Sequence, residues 1–156
     1  MDKINRKIAG IIQSDGKASS TAIAERVGIS VSSANERVRK LQTSGALDHW
    51  RGVLDPASFG IDLLVFVLVD MTYEGEMEAL SALGTRPEIQ EIHHISGPHS
   101  YLMKVRVRNA VALQDFLQSC VKPLPAVVKT ETLLVLDTSK ETTEIDLTQS
   151  VSETGP

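Results

Sequence analysis

The feature that most constrains this chain is a pair of short helix patterns joined by the three-residue turn Gly28-Ile29-Ser30. Upstream of the turn, Ser19 or Ser20 can cap a helix whose inner face is Ile23, Ala24 and Val27, because a short hydroxyl accepts from an otherwise unpartnered N–H of the first turn. Gly28 supplies the left-handed backbone that a tight helix exit needs, and Ser30 can cap the next helix. That helix runs from about Val31 to Thr43, with Ala34, Val38 and Leu41 at i, i+4 and i+7 as its inner stripe, and Ser44-Gly45 ends it. An earlier helix puts Ile4, Ile8, Ile11 and Ile12 on one stripe and stops at Asp15-Gly16. Three short helices with a glycine turn before the last form a helix-turn-helix, here expected to be winged-type.

Charge divides the chain at the same place. Residues 1–54 hold nine Lys/Arg against five Asp/Glu, whereas residues 55–156 hold seven against fifteen. The net −4 of the whole chain therefore conceals a segment of +4 followed by one of −8. A basic module that meets a polyanion, joined to an acidic one that does not, is the simplest reading. On the third helix Ser32, Ser33, Asn35, Glu36, Arg39 and Gln42 face outward, and Arg37 and Lys40 flank the inner stripe. Short side chains at the helix start let backbone approach base edges, and Asn35 suits adenine N6/N7. Arg37, Arg39 and Lys40 are long enough to reach phosphates, which give affinity without sequence information. A solvated face with a Glu36–Lys40 pair is the plain alternative for such a helix alone. The helix before it, the turn and the local charge favour double-stranded DNA.

Other classes are disfavoured. At 42% hydrophobic and 23% charged the composition is that of a folded domain. A single cysteine, Cys120, leaves no disulfide framework and no cysteine-ligated zinc. The first residues lack the apolar core of a signal peptide, and the longest apolar run, Leu63 to Val69, is far short of a membrane span, so a cytoplasmic protein without a membrane partner is expected. No Gly-x-Ser-x-Gly, phosphate-cradling glycine loop or His-Glu-x-x-His is present, and neither catalytic residues nor a cofactor are expected. His93 and His94 are adjacent, so a regular strand points them to opposite faces; with His99 they make a poor metal site, and none is expected.

Beyond Thr43 the chain runs extended from Leu47 to Leu54, then is broken by Asp55-Pro56 and Phe59-Gly60. Trp50, the sole tryptophan, is expected to pack against the linker or a partner subunit rather than stack on bases. The period then changes. Leu63 to Val69 is a nearly continuous apolar strand, expected to be covered on both faces. A helix comes next over Glu76 to Leu83 with Met77, Leu80 and Leu83 inward, then an extended Glu88 to Ser96. The turn Gly97-Pro98-His99-Ser100 leads into an alternating Tyr101 to Val107, a helix over Ala110 to Val121 with Val111, Leu113, Phe116, Leu117 and Cys120 inward, and a last strand from Val127 to Leu136. In that strand Thr130, Thr132 and Leu134 share a face. The order βαββαβ is the ferredoxin-like arrangement, so the whole is α+β. The expected division is a helix-turn-helix domain over residues 1–47, a linker over 48–60, a second domain over 61–140 and a polar tail over 141–156, with 150–156 disordered.

A basic helix-turn-helix followed by βαββαβ resembles the Lrp/AsnC (feast/famine) transcription regulators along residues 2–147. The residues that carry the resemblance are Asp2 to Gly16, Ala24-Glu25-Arg26-Val27-Gly28-Ile29-Ser30, Glu36 to Leu41 with Gly45, Ile95-Ser96-Gly97, Tyr101 to Val105, Leu124-Pro125 and Lys129 to Thr132. The resemblance implies a regulator whose second domain pairs into a dimeric α+β barrel, assembles as dimers and octamers, and binds a small effector, an amino acid or related acid. It implies that the effector lies around the hairpin loop, here Gly97, Pro98, His99, Ser100 and Tyr101, with Thr132 and Leu134 contributing. For Tyr101, packing at the strand start is an equal alternative. The family loop usually reads Gly-Asp-x-Asp-Tyr, and this loop has no carboxylate. An ammonium without a countercharge is costly, so a different effector or none is expected unless backbone carbonyls or Glu131 stand in. Two other readings remain: an effector-independent architectural DNA-binding protein, and a small ferredoxin-like enzyme, which would leave the basic helix-turn-helix unexplained.

Overall fold

The computed structural model describes residues 1–148, and residues 149–156, including the whole stretch expected to be disordered, lie outside the described residues. The chain forms two compact units, one of residues 1–53 with the segment from Glu141, the other spanning Leu54–Lys140.

The first unit is helical. Helices α1 (Lys3–Ser14), α2 (Ser20–Val27) and α3 (Val31–Thr43) pack around Ile8, Ile12, Ile23, Ala24, Ala34 and Leu41, each at most 5% exposed. Every N-terminus has its cap. Asp2 accepts from the Asn5 N–H at 2.7 Å, Ser19 from Ala22 at 3.2 Å, and Ser30 from Ser33 at 3.2 Å, which decides between Ser19 and Ser20. Gly28 sits at φ +76° and its N–H returns to the Ala24 carbonyl at 2.8 Å, so the turn stands where the sequence placed it. The stretch after α3, read as extended, joins no ladder: among the described residues this unit contains no strand and hence no wing. Trp50 lies beside Gly16, within the same unit.

The polar segment after residue 140 is more than a tail. The Gln13 side-chain amide donates to the Ile145 carbonyl at 2.8 Å and accepts the Ile145 N–H at 3.3 Å. Leu147 lies against Gly10 of α1, where a side chain would meet it at 3.9 Å. Residues 141–148 thus form a strap on the first helix.

The second unit is a four-stranded sheet with two helices on one face. Its strands are β1 (Leu63–Met71), β2 (Ile89–His94), β3 (Tyr101–Val107) and β4 (Val127–Leu134), in the order β2-β3-β1-β4, antiparallel throughout. Helix α4 (Glu76–Gly84) and helix α5 (Ala110–Phe116) complete βαββαβ. Opposed residues share a face, so Val65, Val67 and Val69 stand with Val105, Met103 and Tyr101 on β3 and with Leu134, Thr132 and Thr130 on β4. This face carries the core, closed by Leu83, Phe116 and Val121 from the helices.

Three expectations are corrected here. Met77 and Val111, read as inward, are exposed; both fall in a first helical turn, and burial passes to Ala79 and Leu83 in α4 and to Phe116 and Val121. The spacing of the last pair has a cause. After Phe116 the helix widens into a π turn over Leu117–Val121, with the Lys122 N–H bonding to the Leu117 carbonyl at 2.9 Å, which brings residues five apart onto one side. Finally, helices cover only one face of β1; on the other, Phe66 and Leu68 are half-buried.

Candidate functional site

Each unit carries its own candidate surface. On α3 Ala34 and Leu41 of the inner stripe are buried and Val38 is half-buried, while Ser32, Ser33, Asn35, Glu36, Arg39, Lys40 and Gln42 are all exposed. The serines are organised by the cap: Ser30 Oγ lies 3.0 Å from Ser32 Oγ and donates to Ser33 Oγ at 2.9 Å. Ser20 Oγ donates to Asn35 Oδ1, so the first residue of α2 orients Asn35. Lys40 Nζ pairs with Glu36 Oε1 at 2.9 Å, and this ammonium, ahead of Arg39 and Arg37, holds the Glu36 carboxyl below its ordinary value. Both side chains are more than half exposed, so the pair is loosely held and its cation can be redirected.

Arg37 departs from the reading given to it. Its Nη1 contacts Asp2 Oδ2 and Asn5 Oδ1, both at 2.8 Å. The guanidinium ties α3 to the start of α1 rather than standing on the outward surface. Asp2 in turn is held below the usual carboxyl range, first by the Asn5 backbone N–H and then by Arg37.

In the second unit the loop between β2 and β3 carries Gly97 at φ +124°, Pro98, His99 and Ser100, closed by the Ile95 N–H bonding to the Ser100 carbonyl at 3.0 Å. The expected effector residues do not converge. Tyr101 points to the helix-covered face, where it is 7% exposed, and stacks on His94 with ring centres 4.9 Å apart. Burial first, and Glu76 second, push its hydroxyl above the ordinary value. Thr132 lies on that same side of the sheet, in a shallow groove of about 290 Å³ lined by Leu113, Gln114, Leu117, Gln118 and Lys122. Leu134 pairs with Val65 and Tyr101 with Val69, so they stand four residues apart along β1.

His99 turns to the other face. Its Nδ1 lies 3.1 Å from Asp70 Oδ1 and its Nε2 3.5 Å from Glu131 Oε2, with the ring side chain only 14% exposed. Both carboxylates belong to the open face, Glu131 opposite Leu68 and Asp70 opposite Lys129. The three histidines stay apart: His93 meets Glu91, His94 meets Tyr101, and His99 meets Asp70 and Glu131.

Two family models match the chain, one over its N-terminal helices and one over the sheet unit and the start of the strap. The AsnC-type helix-turn-helix domain matches residues 1–42, and the Lrp/AsnC ligand binding domain matches residues 64–145. The chain belongs to the Lrp/AsnC family of transcriptional regulators. Among relatives of this Lrp/AsnC regulator, the HTH-type transcriptional regulator FL11 of Pyrococcus horikoshii is 36% identical over 147 residues, covering 94% of this chain and 97% of its own. The leucine-responsive regulatory protein of Escherichia coli K12 is 32% identical, with 93% and 90% covered. An AsnC family transcriptional regulator from Agrobacterium tumefaciens superposes with a TM-score of 0.89 at 25% identity, covering 95% of this chain and 98% of its own. Among the described residues no helix is long and apolar enough to cross a membrane.

Two site features of this regulator escaped sequence reasoning. Asp70 sits at the end of an apolar strand and carried no signal of its own. The link from Ser20 to Asn35 spans two helices and arises only from their packing.

Proposed function

We propose that this Lrp/AsnC regulator reads double-stranded DNA sequence-specifically through α3, as a homo-oligomer in the cytoplasm, and that a small effector, an amino acid or related acid, adjusts its activity or assembly. The observation that carries the DNA reading is the surface of α3: hydroxyls and an oriented amide in its first half, cations in its second, with Ala34 and Leu41 buried behind them. Ser32, Ser33 and Asn35 take the base edges, while Arg39 and Lys40 take phosphates. Arg37 holds the unit together behind them. Residues 1–47 serve as the DNA-reading domain, 48–60 as linker and 61–140 as the effector and oligomerisation domain.

The open sheet face supports assembly, because Phe66 and Leu68 with the 45%-exposed Leu133 form an apolar surface that a second copy would cover, giving a dimer and, through further contacts, an octamer. The printed name of the leucine-responsive relative supports an amino-acid-like effector, seated at the loop over Gly97 to Tyr101. Binding-site selection on random duplexes tests the division of labour on α3. Asn35→Ala should relax preference at one base position, and Lys40→Ala should weaken all sequences alike and reduce the salt slope by about 0.9 for each α3 on the DNA. Identical behaviour of the two variants would refute these roles.

A further inference from the structure

Each carboxylate near the β2–β3 loop already has a partner. Together with burial, Glu76 acts on the Tyr101 hydroxyl and raises its pKa. Glu91 is met by His93 at 3.2 Å and Lys104 at 3.3 Å. Asp70 and Glu131 converge from two neighbouring strands on opposite nitrogens of one ring, that of His99. Lys129 is the register partner of Asp70 and shares its face of the sheet. The imidazole, within hydrogen-bond distance of Asp70 on one nitrogen and facing Glu131 with the other, occupies the place an ammonium would need between the two carboxylates. The unit that holds it matches a ligand-binding domain, with Asp70, His99 and Glu131 all inside the matched span.

We propose that His99 is the specificity residue of the loop: it fills the Asp70–Glu131 pair from within the chain, so the loop admits acids that lack an amine, 2-oxo acids being the class that fits, and turns amino acids away. An amino acid would have to displace the ring or leave its ammonium without a countercharge, and both are unfavourable. A 2-oxo acid makes no such demand, and Ser100 and the Lys129 ammonium offer donors to its carboxylate and carbonyl. This inference rests on the placement of the effector at the loop proposed above.

The test uses the full-length protein and calorimetric titration with L-leucine and with 4-methyl-2-oxopentanoate, the same carbon skeleton without the amine. The unsubstituted protein should bind the oxo acid and not L-leucine. His99→Ala should bind L-leucine at least about tenfold more tightly than the unsubstituted protein, and adding Asp70→Asn to it should remove the gain. Should His99→Ala fail to fold, His99→Leu removes the ring and its N–H donors with similar bulk, and the same gain is expected. L-leucine binding equally to the unsubstituted protein and to His99→Ala, or binding to neither, overturns the role of His99. If neither compound binds any variant or alters DNA affinity, the placement of the effector at the loop falls as well.

Discussion

Arg37 and Arg39 lie two residues apart on one helix, and the structure gives them opposite work, which makes the pair a sharp test. Arg37 is spent inside the unit, its Nη1 held at 2.8 Å by both Asp2 and Asn5 with the side chain 30% exposed. Arg39 is exposed on the outward surface. Each phosphate contact contributes about 0.9 to the slope of log affinity against log salt. A dimer that places two α3 helices on DNA therefore loses about 1.8 in slope on Arg39→Ala. Over a fourfold rise in salt, from about 50 to about 200 mM, the advantage of the unsubstituted protein over Arg39→Ala should shrink about twelvefold. For Arg37→Ala the ratio of affinities should not change with salt. Its effect is on folding: a partly exposed ion pair and its hydrogen bond are worth a midpoint shift of about 2–5 °C in a unit of this size. Fluorescence anisotropy on a labelled duplex across a salt series, with calorimetric melting of each variant, reads both quantities. An Arg37→Ala variant that flattens the slope as Arg39→Ala does, with an unmoved midpoint, would show that the guanidinium leaves Asp2 for DNA.

Gly28 has φ +76° and open space where a Cβ would stand, so a substitution there meets only torsional strain. Gly28→Ala should cost about 1 kcal/mol in urea denaturation and Gly28→Asn less; equal costs would point to a clash instead. The strap is checked by proteolysis after Lys140. Gln13→Ala removes both hydrogen bonds to Ile145 and should speed tryptic cleavage about fivefold, and an unchanged rate would show that Gln13 does not hold it. Acid is expected to destabilise both units. Asp2 is depressed by the Asn5 N–H and then Arg37, and Glu91 by His93 and then Lys104. A carboxyl depressed in the folded state gives stability that is present above its unfolded value and is lost as pH falls through the folded one. Melting midpoints should therefore hold at about pH 6 and drop below about pH 4.5, and a profile flat to pH 3 would contradict the assignment.

The helical unit was legible because its signals are local. A cap, a glycine at positive φ and an i, i+4, i+7 stripe each act within a few residues, and Ser19, Gly28, Ser30, Ala34 and Leu41 all took the roles their spacing gave them. The order βαββαβ was legible for the same reason, through its changes of period. Where a local rule met a tertiary constraint, the constraint won. The π turn after Phe116 changed which residues face inward, and Met77 and Val111 were apolar without being core. The strap has no compositional mark, because Gln13 recognises the backbone of Ile145 and backbone is the same in every residue.

The loop corner shows most clearly why a site is harder to read than a fold. Thr132 and Glu131 are neighbours in sequence, and strand geometry sends them to opposite faces. The resemblance drew attention to Thr132, but the register that sets Leu68 opposite Glu131 and Asp70 opposite Lys129 brings Glu131 to His99. Shifting β4 by one residue would exchange these faces and leave His99 with Asp70 alone. Sequence therefore showed that the loop lacked carboxylates and offered Glu131 as a stand-in, and only strand pairing could show that Asp70 joins it there. The chemistry of such a corner belongs to the register of the sheet, and a motif confined to the loop would miss it.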